Sequence, residues 1–282
     1  MKTVTQINDL RATINQWRKA GQKIAFVPTM GNLHDGHLSL VDDAFMRADK
    51  VVVSIFVNPM QFGANEDLDN YPKTLAADSA ALTERGVNLL YTPAVKDIYP
   101  RPLKEQTYVD IPKISNIICG ETRLNHFRGV TTVVTKLFNL VQPDIACFGQ
   151  KDFQQLFLIK RMVEDLSMPI QIIGVPTVRE KSGLAMSSRN GYLTPEEKQL
   201  ASVLYSSLKY AKQYIQQGHK DYKHIKQAMQ ANIEQADLRT DYIEFRDANT
   251  LAEATQDTTN FVVLVAAFIA SARLIDNIEF SI

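Results

Sequence analysis

Apolar residues in the first two-thirds of the chain fall in short β-branched runs separated by segments of helical period. Residues 24–27 and 50–57 (KVVVSIFV) are nearly unbroken, as in strands buried on both faces, and 89–91, 144–148 and 170–175 are further runs of that kind. Between them, 7–19, 74–85, 130–141 and 152–166 read as helices, the second closed by Gly86, and a helix from Leu38 is predicted where Leu38, Val41, Ala44 and Phe45 recur at helical spacing. This alternation predicts an α/β fold, a doubly wound (Rossmann-like) parallel sheet. After Pro176 the rhythm changes. A loop rich in Ser, Gly and Arg (178–193) leads to two long helical stretches beginning near Pro195 and Asp221, then to strand candidates at 241–245, 261–268 and 272–278 with no crossover helix between them. A smaller α+β domain with antiparallel strands is expected there. The predicted division is 1–177 and 178–282, with the Ser/Arg loop at the join, where a lid would act. No internal repeat or low-complexity tract interrupts the pattern.

The stretch IAFVPTMGNLHDGHLSLVDDA (24–44) reads as a strand that ends, turns and feeds a helix, with His34 and His37 three residues apart. At the carboxyl edge of a parallel sheet such a helix start offers free N–H groups and a positive dipole end to an anion, so both imidazoles could face one phosphate. Two other readings stand beside it. The pair could ligate a metal, although a zinc site wants three or four ligands and no further His or Cys lies nearby in the chain. They could also be polar residues that cap the helix.

Three more segments carry candidate chemistry. CFGQKDFQQ (147–155) sets Gly149 at a strand end, then Lys151 and Asp152 before a helix; a phosphate-binding lysine and a solvated lysine in a turn both fit. AMSSRN (185–190) holds Ser187, Ser188 and Arg189 between Gly183 and Gly191, as phosphate donors or as a flexible polar linker. The long irregular segment 53–72 holds Asn58, Gln61, Asn65 and Tyr71, neutral groups suited to hydroxyls and a carboxylate. HFRG (126–129) also precedes a helix, where a surface turn explains it equally well.

Composition narrows the partners. Lys plus Arg equal Asp plus Glu at 31 each over 282 residues, so no global field attracts a nucleic acid, and a small molecule is the expected ligand. The two cysteines, Cys119 and Cys147, suggest neither a disulfide framework nor a metal site, and Cys147 reads as core. The most apolar window, 261–272, is well short of the roughly 20 residues that span a bilayer, and no leader pattern opens the chain. A cytoplasmic protein with no membrane partner is expected.

Taken together, these motifs carry a resemblance. HDGH after PTMG resembles the HIGH motif of the nucleotidyltransferase superfamily, and Met186-Ser187-Ser188-Arg189 the counterpart of its KMSKS loop. PTMGxLHxGH, VSIFVNPMQF, FGxKDxQQ and GLAMSSRN, in this order, are similar to the pantoate-beta-alanine ligase family, and the likeness runs from about Ile24 to the C-terminal VLVAAFIASARLIDN. The resemblance implies ATP-dependent joining of (R)-pantoate to β-alanine through a pantoyl adenylate, with AMP and pyrophosphate released, Mg²⁺ on the phosphates and a homodimeric assembly. It implies that Met30, Gly31, Asn32, Leu33, His34, Asp35, Gly36 and His37 bind ATP, with both histidines on its phosphates and His37 the usual proton donor. Gly149, Gln150, Lys151 and Asp152 would touch the nucleotide, Val178 the adenine, and Met186, Ser187, Ser188 and Arg189 would close over the triphosphate. Gln61 and Gln155 would hold pantoate, with Gln61 also near β-alanine and Asn58 among the neutral substrate donors. His37, His34, Lys151, Ser187, Ser188 and Arg189 form the expected catalytic set; the residues that hold Mg²⁺ are not indicated. Three departures stand out: Gln150 where many relatives have Glu, Asn32 where Ala is frequent, and Leu124-Asn125 where Pro-Gly is common.

Two rivals keep the nucleotide. An adenylyltransferase acting on a phosphorylated metabolite would want more Arg or Lys than Asn58, Gln61 and Gln155 supply. A nucleotide-sensing protein without turnover would be expected to have lost a histidine or Lys151, and neither is missing. A tRNA-dependent activity is disfavoured by the neutral charge.

Overall fold

The computed structural model describes residues 1–63 and 68–282, so Asn65 lies outside the described residues. The chain divides into two compact units, Met1–Pro176 and Thr177–Ile282.

The first unit runs β1 (Lys2–Val4), α1 (Ile7–Lys19), β2 (Ile24–Thr29), α2 (Asp35–Phe45), β3 (Lys50–Ile55), α3 (Leu75–Glu84), β4 (Leu89–Tyr91), α4 (Val95–Ile98), α5 (Cys119–Thr122), α6 (His126–Val141), β5 (Ile145–Gly149), α7 (Phe153–Asp165) and β6 (Gln171–Val175). Its six strands form one parallel sheet in the order β1-β4-β3-β2-β5-β6. The central strands read as continuous apolar runs because helices cover both faces; Ile24–Val27 and Val51–Val53 are fully buried. Ala25, Val27, Val51 and Val53 share a core with Leu40, Val41 and Ala44 of α2 and Leu82 of α3. Cys147 is fully buried in that core, as expected, and both cysteines are free.

The second unit has α8 (Pro195–Ala201), α9 (Val203–Gln216), α10 (Tyr222–Gln235) and an antiparallel sheet β7-β8-β9 (Arg239–Asp247, Asn260–Ile269, Ala272–Ser281). Alternate residues of β8, from Phe261 to Ile269, pack against Leu204, Leu208, Ile215, Ile225, Met229 and Ile233 of α9 and α10. The single long helix expected after Pro195 is broken at Ser202 into α8 and α9. Among the described residues no helix is long and apolar enough to cross a membrane.

Candidate active site at the carboxyl ends of the central strands

Strands β3, β2 and β5 are neighbours, so the segments leaving their carboxyl ends emerge side by side. From β2 the chain winds toward β3, and from β5 toward β6 on the other side, which makes the gap between β2 and β5 the switch point where doubly wound sheets take ligands. His34 and His37 follow β2, Gly149 to Gln155 follow β5, and Asn58 and Gln61 follow β3.

The helix after β2 starts one turn earlier than the apolar period indicates, at Asp35, because the histidines themselves begin it. His34 is the N-cap of α2 and His37 the third helical residue. The Gly36 N–H donates to His34 Nδ1 at 3.1 Å, and the His34 N–H donates to His37 Nδ1 at 3.4 Å, a reciprocal capping arrangement usually built from Ser or Thr and Glu. The capping reading therefore holds for this pair of rings, and it leaves room for the anion reading. An Nδ1 that accepts places the proton of a neutral imidazole on Nε2, which leaves an N–H donor on each ring. The ring centroids lie 4.1 Å apart. Burial first, then the Lys151 ammonium, lowers the His34 pKa to about 4 against the opposing pull of Asp152 and Asp35. Burial, His34 and Lys151 hold His37 well below its ordinary value. Lys151 thus acts on both rings across the switch point. For the metal reading, no group of three or more His, Cys, Asp or Glu among the described residues could hold an ion by itself.

These shifts have a consequence for stability. With a folded pKa near 4 against 6.5 when unfolded, His34 binds fewer protons in the native state between those values. Its contribution is whole above about pH 6.5 and is lost as pH falls toward 4. His34→Asn keeps a capping side chain but cannot titrate. It is expected to flatten the fall of Tm across that window, and an unchanged Tm–pH curve would contradict the burial of a neutral His34.

The loop between β2 and α2 is held by Asp78, a buried carboxylate of α3 that sequence reasoning missed. Its Oδ2 accepts from the Asn32 N–H at 3.0 Å and the Thr74 hydroxyl at 3.1 Å, and its Oδ1 from the Leu33 N–H at 2.9 Å. Gly31 makes this approach possible: its φ is +84°, and a Cβ there would sit 3.0 Å from Ile55 and 3.1 Å from Asp78. Asn32 follows at φ 51°, a left-handed conformation that Asn tolerates better than most residues. An acidic residue one turn before buried Leu82 was the available signal.

After β5, Gly149 precedes a tight turn over Gln150–Asp152, and the Lys151 ammonium lies 3.9 Å from the Asp152 carboxylate. Gln150 packs beside Gly174 of β6. The two glutamines that follow differ in use. Gln154 is buried, accepting from the Cys119 N–H and donating to the carbonyls of Ile114 and Ile117, so it fixes the 114–119 segment. Gln155 is half-buried on α7.

HFRG is not a surface turn but the first turn of α6, with His126 and Phe127 buried. Asn125 caps it at φ 63°, so the Leu124-Asn125 departure keeps a residue that tolerates the left-handed backbone, while Leu124 is exposed. His126 Nδ1 bonds the Gln61 carbonyl at 2.8 Å, and the Gln61 amide donates to Met30 Sδ at 3.2 Å, which ties the β3 loop to the β2 loop.

In the second unit the Ser/Arg loop is a hydrogen-bonded structure rather than a linker. The Met186 N–H donates to the Val178 carbonyl at 2.9 Å, and the Glu180 N–H to that of Leu184 at 2.8 Å. Arg179 binds Asp276 through two bonds of 2.6 and 2.9 Å and lies over the Tyr205 ring. Buried Asn190 donates to Glu180 and to the Ala185 carbonyl. Ser187 caps the turn Ser188–Tyr192 by accepting from the Arg189 N–H at 3.2 Å, which leaves its hydroxyl hydrogen to donate.

The family model described as pantoate-beta-alanine ligase matches residues 2–279. The chain belongs to this family. As a member it is a ligase. It is 55% identical over 284 residues to the pantothenate synthetase of Colwellia psychrerythraea, covering 99% of each chain. Among solved structures, the pantothenate synthetase of Thermus thermophilus is similar at TM-score 0.92 and 42% identity over 99% of both chains. The pantoate-beta-alanine ligase of Francisella tularensis, solved with beta-gamma ATP and beta-alanine, is similar at TM-score 0.81 and 34% identity, covering 99% of this chain and 97% of that one.

Proposed function

We propose that the chain condenses (R)-pantoate with β-alanine at the expense of ATP, through a pantoyl adenylate. The observation that carries this is the paired, neutral His34 and His37 at the start of α2, with Lys151 close enough to act on both. Two Nε2–H donors, the helix dipole and one compact cation suit a triphosphate, whereas the neutral Gln61 and Gln155 suit a hydroxylated carboxylate rather than a phosphorylated acceptor.

A carboxylate does not acylate an amine because oxide is too poor a leaving group, so it must first be activated. The pantoate carboxylate attacks the α-phosphorus in line, the bond to the bridging oxygen breaks and pyrophosphate leaves. The β-alanine amine then attacks the acyl carbonyl and expels AMP. His34, His37, Lys151, Ser187, Ser188 and Arg189 stabilise charge on the phosphate oxygens, so catalysis is positioning and electrostatics with no covalent enzyme intermediate. His37, held neutral, serves as a hydrogen-bond donor rather than as an acid. Met30 to Leu33, Asp35, Gly36, Gly149, Gln150, Asp152, Val178 and Met186 complete the nucleotide contacts. Mg²⁺ suits this donor set because it keeps waters and needs few protein ligands beside phosphates. Asp35 and Asp152, whose charges both act on His34, would be the carboxylates to hold it, and the ion would neutralise phosphate charge. We assign the protein to the cytoplasm as a homodimer, the latter checked by sedimentation.

The adenylate is tested with pantoate carrying ¹⁸O in its carboxylate. One labelled oxygen is expected in AMP and one in the product amide; unlabelled AMP would exclude the acyl adenylate.

A further inference from the structure

We propose that Tyr99 and Asn58 are positioning residues that set the polarity of the Gln61 amide, so that Gln61 meets pantoate as a hydrogen-bond donor. The proposal rests on the assignment of Gln61 to pantoate above.

Asn58 was expected among the substrate donors, yet its bonding capacity is used inside the protein. It is 1% exposed. Its Oδ1 accepts from the Tyr99 hydroxyl at 2.8 Å and the Met60 N–H at 3.3 Å, and its Nδ2 donates to the Gly129 carbonyl at 3.1 Å and to Gln61 Oε1 at 3.0 Å. Two donors and two acceptors are all an asparagine side chain has. Turning the amide over would set its oxygen against the Gly129 carbonyl oxygen and its NH₂ against the Met60 N–H, two backbone groups whose roles are fixed.

The orientation passes to Gln61. With Oε1 occupied by Asn58, the group left to face a ligand is the Gln61 NH₂, whose partner here is the Met30 thioether, a weak acceptor that an oxygen can replace. The Gln61 backbone is equally fixed. His126 bonds its carbonyl, and the helix at Gly129 approaches so closely that a Cβ there would lie 2.4 Å from the Met60 carbonyl oxygen and 2.6 Å from the Gln61 nitrogen. Tyr99 closes the relay from behind, buried, its ring packed near Phe56. A donor held in this way favours ligands that present lone pairs, a carboxylate or a hydroxyl oxygen, and disfavours a cationic amine at that position.

The test is steady-state kinetics of the full chain, separating KM for pantoate, KM for ATP and kcat. Asn58→Asp keeps the shape and still accepts from Tyr99 and Met60, but an ionised carboxylate donates nothing, so Gln61 must turn its NH₂ inward and show pantoate a carbonyl. A rise in pantoate KM of about 30-fold or more is expected, with ATP KM within about twofold, as for a lost donor that also leaves an unpaired acceptor. Tyr99→Phe keeps the ring and removes one bond, and about a 3–10-fold rise confined to pantoate is expected, which carries the test if Asn58→Asp fails to fold. Unchanged pantoate KM in Tyr99→Phe, or equal rises for ATP and pantoate, would overturn the proposal. If the unaltered protein itself shows no pantoate-dependent turnover, the assignment of Gln61 falls first and this proposal with it.

Discussion

Lys151→Met is expected to slow pantoate-dependent pyrophosphate release by about 10²–10³, the loss typical of removing one preorganised donor to transition-state charge. The side chain sits in the turn before α7, outside the hydrophobic core cluster, and methionine keeps its aliphatic length, so Tm should change little. A second signature separates loss of charge from loss of fold. Lys151 is one of the causes that lower the proton affinity of His34 and His37, after burial. Without it both rings titrate at higher pH, and the acid limb of the rate profile moves toward neutrality. A variant with near-normal turnover, or one with the rate loss but an unmoved acid limb, would contradict the placement of Lys151 beside the histidine pair.

Asp78→Ala is expected to act on stability and on the nucleotide together. It removes the acceptor of two backbone N–H groups and one hydroxyl at a site 3% exposed. Leaving buried donors unsatisfied costs about 1–3 kcal/mol. Because those amides belong to Asn32 and Leu33, the loop that aims α2 loosens, and KM for ATP should rise at least about tenfold while pantoate KM rises less, since a donor geometry misplaced by about 1 Å is costly. Asp78→Asn, which retains one oxygen acceptor, should recover part of both losses. Kinetics paired with thermal melts check this, and a stability loss with unchanged ATP KM would show that the carboxylate serves the core alone.

The sheet was legible because its physics is written in the chain. Runs such as 50–57 are apolar on both faces only when helices cover both, and the Pro176 boundary shows where that rhythm stops. Less legible were features whose cause is tertiary. The three residues of β1 carry no run long enough to register. Ser202 breaks a continuous helical period that a one-dimensional pattern cannot resolve. HFRG reads as a turn before a helix until the chain around Met60 and Gln61 is seen packed on Gly129. The site divides in the same way. The placement of His34, His37, Lys151 and Gln61 after neighbouring strand ends was visible because polar residues follow apolar runs at the carboxyl edge of a parallel sheet. Asp78, Gln154 and Tyr99 were not, because their work is to hold other groups, and nothing in a residue's own neighbourhood tells what it will hold. Asn58 illustrates the limit: its type suggested a substrate donor, and only the structure shows its amide bonded to Gln61, Gly129, Met60 and Tyr99.

The proposed role of the histidine pair, phosphate binding in the service of carboxylate activation, is open to a direct check. The most direct measurement is pyrophosphate release from ATP with Mg²⁺, comparing pantoate alone, β-alanine alone and both, with AMP and pantothenate quantified in the same samples. Sustained release is expected only with both substrates, matched one-to-one by AMP and pantothenate. Sustained release that ignores pantoate, or release without free AMP, would contradict it.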